Sequence, residues 1–231
     1  MPPSIRPLDD TLVMAGYART GSYREVYRVV PDENPYELEM ALIDDLRSDD
    51  IAVFGCGGSS RIAPWGELLT TASRARGAAG CVTDGFVRDI RQIRSLRFPV
   101  FHGGIAPLDS KGRGMVAEID VPIHCAGVAV APGDLIVGDA DGVVVVPRAV
   151  EAQAVARAFD KVSSEDRTRE EAVYRYAVAQ IEQGAHMTSI GESVAGPDVC
   201  SPDVYREFAW PYEKRLTERL TARGIRLACH I

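Results

Sequence analysis

The sequence predicts an α/β fold with a β-rich core and few helices. Its 231 residues are 46% hydrophobic and 26% charged, a composition typical of a globular protein that buries a substantial core. Short apolar runs recur along the chain and are bounded by turns that contain glycine or proline, as expected for the strands of a sheet. Helical periodicity is confined to a few segments.

The first part of the chain is predicted to contain loops, two strands and a helix. Residues 1–35 are rich in proline, and apolar and polar residues alternate at 23–30, which predicts a strand there. Leucines recur every four positions within 36–46, which predicts a helix with one buried face. Residues 51–54 form an apolar run that ends in a glycine-rich turn, which predicts a buried strand.

The helix predicted at 66–76 has its direction marked at both ends. Glu67 lies in the first turn, arginines lie in the last turn, and Gly77 follows as the stop. The N-terminus of this helix therefore faces whatever lies near Glu67. Five short strands are predicted after it, at 80–83, 99–101, 128–130, 135–137 and 142–146.

The C-terminal part predicts mainly helix. A long polar helix is expected at 148–183, with a break or an exposed stretch in its charged centre at 163–171. A second helix is expected at 203–222, N-capped by Ser201. The apolar run 225–231 resembles a strand of a parallel sheet whose partners are missing.

The composition excludes several classes of protein. A formal charge of −7 argues against a nucleic-acid partner, which normally requires a basic face. No apolar run approaches the roughly 20 residues of a membrane-spanning helix, and the N-terminus lacks signal-peptide features, so a cytoplasmic protein with no membrane partner is expected. The five cysteines form no CxxC pair, which favours buried thiols over a disulfide framework or a zinc site.

The strongest functional signal is an acid at the start of the 66–76 helix, followed by an Arg-Asp pair. The free N–H groups of residues 67–69 and the helix dipole can hold a small carboxylate, and Arg88 can clamp it with two hydrogen bonds. Asp89 can bind Mg2+, which needs only one or two protein carboxylates. When the C3–C4 bond of a bound 2-oxo acid breaks, the cation and Arg88 would stabilise the enolate. Glu67 is placed to shuttle the proton that completes pyruvate.

Each of these residues also has a simpler interpretation. A lone Arg-Asp pair is usually a surface ion pair, and a glutamate in a first helical turn usually stabilises the helix dipole. His102 and His124 lie beside apolar residues, where a histidine is more often part of the core than a ligand. Trp65 is expected to pack in the core rather than to contact a substrate.

At these positions the sequence resembles the RraA-like family, which includes 4-hydroxy-4-methyl-2-oxoglutarate aldolases, oxaloacetate decarboxylases and a regulator of ribonuclease E. The resemblance covers about residues 5–170. Besides Glu67, Arg88 and Asp89, the residues that carry it are the runs 97–101, 128–134 and 138–147.

The resemblance implies a swivelling β/β/α domain that forms homotrimers or hexamers with active sites between subunits. It implies that Asp89 binds Mg2+ or Mn2+. The substrate-binding residues that it implies are Gly66, Glu67, Leu68, Leu69 and Arg88. A glutamate from the last helix of a neighbouring subunit also approaches such sites, and Glu165 is the matching position.

From about residue 176 the sequence resembles the uroporphyrinogen decarboxylase and cobalamin methyltransferase family instead. In the methyltransferase branch, the histidine of a His-x-Cys pair ligates zinc, and His230 lies where such a pair would begin. We therefore divide the chain into an RraA-like aldolase domain at 1–172 and a fragment at 173–231. The fragment is expected to be either a remnant of a (β/α)8 barrel, too short to close its sheet, or a C-terminal helix that packs on the first domain.

The sequence thus predicts a class II, divalent-metal-dependent aldolase. Its substrates would be 4-hydroxy-2-oxo acids or dicarboxylates, which it would cleave to pyruvate, with oxaloacetate decarboxylation as a side reaction. The first alternative is a non-catalytic regulatory protein on the same scaffold, of the ribonuclease-regulator type. The second, based on the tail, is a protein of the uroporphyrinogen decarboxylase family.

Overall fold

The computed structural model describes residues 1–186, 188–191 and 210–230. The chain divides into two compact units, Met1–Ala154 and Val155–Ile231. None of the helices in the described ranges combines the length and the apolar character that crossing a lipid bilayer requires.

The first unit is built on a large mixed sheet. Its strands are β1 (Arg6–Pro7), β2 (Met14–Glu25), β3 (Asp50–Gly55), β4 (Gly80–Val87), β5 (Val100–Ile105), β6 (Gly114–Ile119), β7 (Ile123–Cys125), β8 (Val128–Val130), β9 (Leu135–Asp139) and β10 (Gly142–Val146). The sheet has the order β1-β5-β4-β3-β2-β9-β10, and β6 also pairs with β2. The pairs among β2, β3, β4 and β5 are parallel, whereas β7 and β8 form a separate antiparallel pair.

Three helices connect the parallel strands. Helix α1 (Glu37–Asp44) follows β2, α2 (Glu67–Ala75) follows β3, and α3 (Ile90–Ser95) follows β4. Parallel neighbours need such crossovers because both strands start at the same edge of the sheet. The loops that follow β3, β4 and β5 therefore emerge at one common edge. This arrangement confirms the α/β class and the swivelling β/β/α architecture.

Strand β3 is buried on both faces of the sheet. Ala52 and Phe54 enter one core cluster, and Ile51 and Val53 enter another. A strand covered on both sides needs apolar residues at every position, which explains the continuous apolar run in the sequence. Trp65 is fully buried in the first cluster, as the sequence predicts.

One strand expectation is wrong, and some strands were not predicted. The strand expected at 23–30 is the end of β2, and residues 26–36 form no strand. The buried face of β2 consists largely of small residues such as Gly16 and Ala18, so its alternation carries little apolar signal. Strands β6 and β7 were not predicted, because short strands that mix apolar and polar residues resemble loops.

The long helix of the C-terminal part is continuous. Helix α4 (Glu151–Glu182) shows no break at 163–171, and most of that segment is exposed, so the second of the two alternatives is confirmed. The charged residues stabilise the helix instead of interrupting it, because they pair one turn apart. Lys161 contacts Glu165 at 3.1 Å, and Arg175 contacts Glu171 at 2.9 Å.

The second unit also contains a small parallel sheet. Its further elements are β11 (Thr188–Gly191), α5 (Trp210–Thr221) and β12 (Leu227–His230). Strand β12 pairs with β11, so the final strand has a partner that the sequence did not reveal. Leu216 and Leu220 of α5 are fully buried and pack against Ala177. The N-cap expected at Ser201 lies outside the described residues.

Candidate active site

The predicted site residues lie in loops at the edge where β3, β4 and β5 end. Gly66 and Glu67 begin α2 after β3, and Arg88 and Asp89 follow β4 directly. Trp65 forms a parallel bridge with Val87, and the Arg88 N–H donates to the Trp65 carbonyl at 3.0 Å. The two motifs found in the sequence therefore become neighbours through backbone pairing.

The start of α2 touches Asp89 directly. The Glu67 N–H donates to Asp89 Oδ2 at 3.1 Å, so the aspartate caps a helix from another part of the chain. Asp89 has φ of 60°, a left-handed conformation that lets the chain leave β4 and enter α3 at once. The structure thus brings together the start of α2 and the Arg88–Asp89 pair, as the enolate stabilisation predicted from the sequence requires.

A buried hydrogen-bond chain fixes the first turn of α2. Trp65 Nε1 donates to Thr70 Oγ1 at 2.8 Å, and Thr70 Oγ1 donates to the Gly66 carbonyl at 2.8 Å. Both side chains are fully buried, where an unpaired polar group would be costly. The sequence predicted only a packing role for Trp65. Its indole N–H also fixes the position of the first turn of α2.

Gly66 has no room for a side chain. A Cβ atom there would lie 2.7 Å from Asp89 Oδ2 and 3.2 Å from Arg88 Nε. We expect Gly66→Ala to displace both side chains and to lower kcat/KM for the pyruvate formation predicted from the sequence about 100-fold, since small displacements of catalytic groups cost rate steeply. Steady-state kinetics check this, with Thr71→Ala on the exposed side of α2 as the control. Wild-type kinetics in Gly66→Ala would show that the close approach has no catalytic role.

Arg88 is anchored by one end of its guanidinium group. Nη1 donates to the carbonyls of Ala63 at 2.8 Å and Leu108 at 3.2 Å. Nε lies 3.8 Å from Asp89 Oδ2, and Nη2 lies 3.8 Å from Asp109 Oδ1, both beyond hydrogen-bond distance. Among the described residues, the Nε and Nη2 groups have no hydrogen-bond acceptor. This is the edge of the guanidinium that can bind a carboxylate with two parallel hydrogen bonds.

A second acid, Asp109, flanks Arg88 and was not predicted. Its Oδ2 accepts a hydrogen bond from the Tyr36 hydroxyl at 2.8 Å. Burial, followed by this bond to Asp109, raises the pKa of Tyr36 to about 12. Burial alone would raise the pKa of Asp109, but the Tyr36 hydroxyl and the Arg88 guanidinium outweigh it and hold that pKa below its usual range. Asp109 is therefore ionised at neutral pH.

Glu39, behind this pair, was also missed. It lies on α1 beside the buried residues Leu42 and Ile43 and is only 5% exposed. Burial raises the pKa of Glu39 to about 7, although Tyr23 and Arg88 act in the opposite direction. The sequence signal that could have revealed Glu39 is its place on the apolar face of a helix, because such a position normally carries an apolar residue.

The open cavity beside Arg88 has a volume of about 460 Å³. Its charged residues are Arg88, Asp89 and Asp109. The rest of its lining is apolar and consists of Ile90, Ile105, Ala106, Pro107 and Leu108. The loop after β5 therefore contributes a hydrophobic wall that faces the Arg-Asp pair.

The donor set at Asp89 fits a hydrated Mg2+ ion. The described residues contain no group of three or more His, Cys, Asp or Glu side chains that would form a closed metal cage. Mg2+ keeps several waters and needs only one or two carboxylates, and Asp89 supplies a half-exposed one. Asp89 and Asp109 beside a single guanidinium would also repel an anionic substrate unless a cation were bound.

Other residues singled out in the sequence take no part in the hydrogen bonds and ion pairs described above. His102 is buried, as expected of a core histidine, whereas His124 is exposed, so that interpretation is wrong for His124. It lies in β7, a strand with only one buried face. Glu165 lies on α4 in the second unit, and its role at a neighbouring subunit stays a prediction.

The cysteines in the first unit support the expectation of buried thiols. Cys56, Cys81 and Cys125 are free and buried, and burial raises the pKa of each thiol. The backbone of Cys229 and His230 belongs to β12, whereas Cys200 lies outside the described residues.

Family models match two parts of the chain. The RraA-like model, described as Aldolase/RraA, matches residues 1–145. The uroporphyrinogen decarboxylase model matches residues 167–231. The second match agrees with the resemblance noted in the tail.

Individual relatives agree with the first match. A Halalkalibacterium halodurans protein named "Putative 4-hydroxy-4-methyl-2-oxoglutarate aldolase" is 36% identical over 170 residues, which cover 74% of this chain and 76% of that protein. A Thermus thermophilus 4-hydroxy-4-methyl-2-oxoglutarate aldolase is 30% identical over 132 residues, covering 57% and 78% of the two chains.

A solved structure from the same family has a similar fold. Streptomyces coelicolor RraAS2, described as an unusual member of the RNase ES inhibitor RraA protein family, superposes with a TM-score of 0.63. The two proteins are 30% identical, and the match covers 71% of this chain and 80% of that one. From the family match over most of the first unit and the shared fold, we conclude that this chain belongs to the RraA-like family.

Proposed function

We propose that this protein is a divalent-metal-dependent aldolase that cleaves 4-hydroxy-2-oxo acids to pyruvate and a second carbonyl compound. The observation that supports this proposal most directly is the geometry around Arg88. Its Nη1 is fixed by two carbonyls, while its Nε–Nη2 edge has no hydrogen-bond acceptor among the described residues and borders an open cavity. A preorganised guanidinium edge that makes only two ion pairs of 3.8 Å and no hydrogen bond to the described residues is suited to a small carboxylate.

The start of α2 completes the substrate-binding surface. The Glu67 N–H is already bound to Asp89, so the N–H groups of Leu68 and Leu69 are the donors that this first turn offers to a ligand. The pyruvyl carboxylate of the substrate would accept from these donors and from Arg88. The oligomer expected from the family resemblance would add Glu165 from a neighbouring subunit.

The chain's own residues can carry the bond cleavage. Glu67 accepts the C4 hydroxyl proton, the C3–C4 bond breaks to release the second carbonyl compound, and negative charge develops on the keto oxygen near Arg88. The Glu67 carboxyl then returns the proton to C3 of the enolate, which yields pyruvate. When bound at Asp89, Mg2+ or Mn2+ would supply Lewis acidity at the keto oxygen. Oxaloacetate decarboxylation would use the same charge stabilisation.

Removal of the metal should abolish turnover. We expect pyruvate release, measured by coupling to lactate dehydrogenase, to fall about 100-fold or more after chelation and to return with Mg2+ or Mn2+. The control is the coupling enzyme alone, assayed with added pyruvate under the same conditions. If no 4-hydroxy-2-oxo acid yields pyruvate with either metal, the proposed function is wrong.

A regulatory role is the second candidate, because the solved relative from Streptomyces coelicolor is described as belonging to an RNase inhibitor family. Such a protein would bind a ribonuclease without metal-dependent turnover. Arg88→Lys separates the two roles, since it should eliminate catalysis but leave a protein-binding surface intact. If the wild type forms no pyruvate and Arg88→Lys still inhibits the ribonuclease, the regulatory role is favoured.

A further inference from the structure

Arg88 is surrounded by three successive residues of the loop after β5. The Leu108 carbonyl accepts a hydrogen bond from Arg88 Nη1 at 3.2 Å, and Asp109 Oδ1 lies 3.8 Å from Nη2. The buried Ser110 hydroxyl donates to the Ala63 carbonyl at 3.4 Å, and the same carbonyl accepts from Nη1 at 2.8 Å. The position of this loop therefore determines where the guanidinium group of Arg88 lies.

Tyr36 fixes this loop from another part of the chain. Its hydroxyl donates to Asp109 Oδ2 at 2.8 Å, a bond between residues 73 positions apart. Tyr36 is itself fixed at the start of α1, because its N–H donates to Asn34 Oδ1 at 3.1 Å and its carbonyl accepts from the Met40 N–H at 2.8 Å. Burial and the bond to Asp109 raise the pKa of Tyr36 to about 12, so the hydroxyl stays protonated and can donate at neutral pH. This bond ties the loop after β5 to the start of α1.

The two carboxylate oxygens of Asp109 have different partners. Oδ2 accepts from Tyr36, whereas Oδ1 faces the Arg88 guanidinium. At 3.8 Å from Nη2, Oδ1 lies beyond hydrogen-bond distance, so the Nη2 hydrogens stay available to a ligand. The distance still allows an ion pair, and salt screens partly buried charges such as these less than exposed ones. Asp109 can therefore restrict the guanidinium without occupying its Nε–Nη2 edge.

We infer that Tyr36 and Asp109 are positioning residues that act through Arg88. Their hydrogen bond holds the loop after β5 so that the Nε–Nη2 edge of Arg88 faces the bound carboxylate of the substrate. The inference rests on the proposed function, because it assigns the pyruvyl carboxylate to that edge. Neither residue needs to touch the substrate in this role, and both lie outside the two sequence motifs that predicted the site.

Tyr36→Phe tests this role, because it removes the hydroxyl and keeps the ring. With Mg2+ present, we expect kcat/KM for pyruvate release to fall about tenfold, since a small displacement of a binding group costs rate. Tyr27→Phe is the matched control. The Tyr27 hydroxyl also donates to a carboxylate, that of Glu25, but the residue is 77% exposed and does not contact Arg88. Its kcat/KM should stay within about twofold of the wild type.

Asp109→Asn gives a second test that keeps the bond to Tyr36. The carboxamide oxygen can still accept from the hydroxyl, but the negative charge beside Arg88 Nη2 is lost. We expect kcat/KM to fall about tenfold here as well. Asp141→Asn, an exposed change in the turn between β9 and β10, is the control and should match the wild type. Thermal melts show whether each variant is folded.

A double-mutant cycle with Arg88→Lys distinguishes positioning from a purely structural role. In the Arg88→Lys background, Tyr36→Phe and Asp109→Asn should each change kcat/KM less than about twofold, because the guanidinium that they position is then absent. Residues that only stabilise the loop would cause the same fold-loss in both backgrounds. A higher enzyme concentration compensates for the low rate of Arg88→Lys.

The possible outcomes are distinct. Wild-type rates in both Tyr36→Phe and Asp109→Asn would overturn the inference and leave the aldolase in place. Equal fold-losses with and without Arg88→Lys would also overturn it, because the effect would not pass through the guanidinium. If the wild type releases no pyruvate from any 4-hydroxy-2-oxo acid, the proposed function and the inference are both wrong.

Discussion

Arg88→Lys is expected to lower kcat/KM for pyruvate formation about 100- to 1000-fold, because lysine keeps the charge but loses the planar fork. In the structure, Nη1 holds the loops at Ala63 and Leu108 while the opposite edge stays available. An ammonium group cannot do both. Steady-state kinetics with Mg2+ give the result, and a thermal melt shows whether the loss reflects misfolding.

The matched control for this variant is Arg91→Lys. Arg91 is exposed on α3, two residues after Asp89, and should tolerate the change with less than a twofold effect on rate. A fall in kcat of Arg88→Lys at constant KM would show that Arg88 stabilises the transition state more than it stabilises the bound substrate. Equal activity of the two variants would remove Arg88 from the mechanism.

The sequence was sufficient to predict the contact between Gly66–Glu67 and Arg88–Asp89, and physical reasons explain why. A buried strand and a glycine-rich turn precede the first motif, which begins a helix, and a strand precedes the second. Neighbouring parallel strands end at one edge, so residues that follow them meet. The roles of these residues in catalysis still await the kinetic tests.

The remaining part of the site could not be predicted because it has no local pattern. Asp109 lies in the loop after β5 and Tyr36 precedes α1, so only the fold brings them together. Which edge of the Arg88 guanidinium stays without hydrogen bonds likewise depends on where the carbonyls of Ala63 and Leu108 lie, and only the fold determines that. Similar reasoning applies to α4, where the sequence left a break and an exposed stretch open, and only the one-turn pairing of charged residues shows a continuous, exposed helix.

Glu39 leads to the second prediction with a large effect, which concerns stability. Its pKa rises from 4.5 to about 7 in the folded protein, mainly through burial. Between these values the unfolded chain has released the proton and the folded chain has not, so rising pH favours unfolding. We expect the unfolding free energy of the wild type, relative to Glu39→Gln, to fall by roughly 3 kcal/mol from pH 4.5 to pH 7.5.

Urea unfolding of the two proteins across this pH range measures the effect. Trp65 is buried in the first unit, and a Trp210→Phe background makes its fluorescence the only tryptophan signal. Glu37→Gln is the control, because Glu37 lies on the same helix but is exposed, and it should show no such pH-dependent difference. A pH-independent difference between the wild type and Glu39→Gln would mean that the carboxyl ionises as readily in the folded protein as in water.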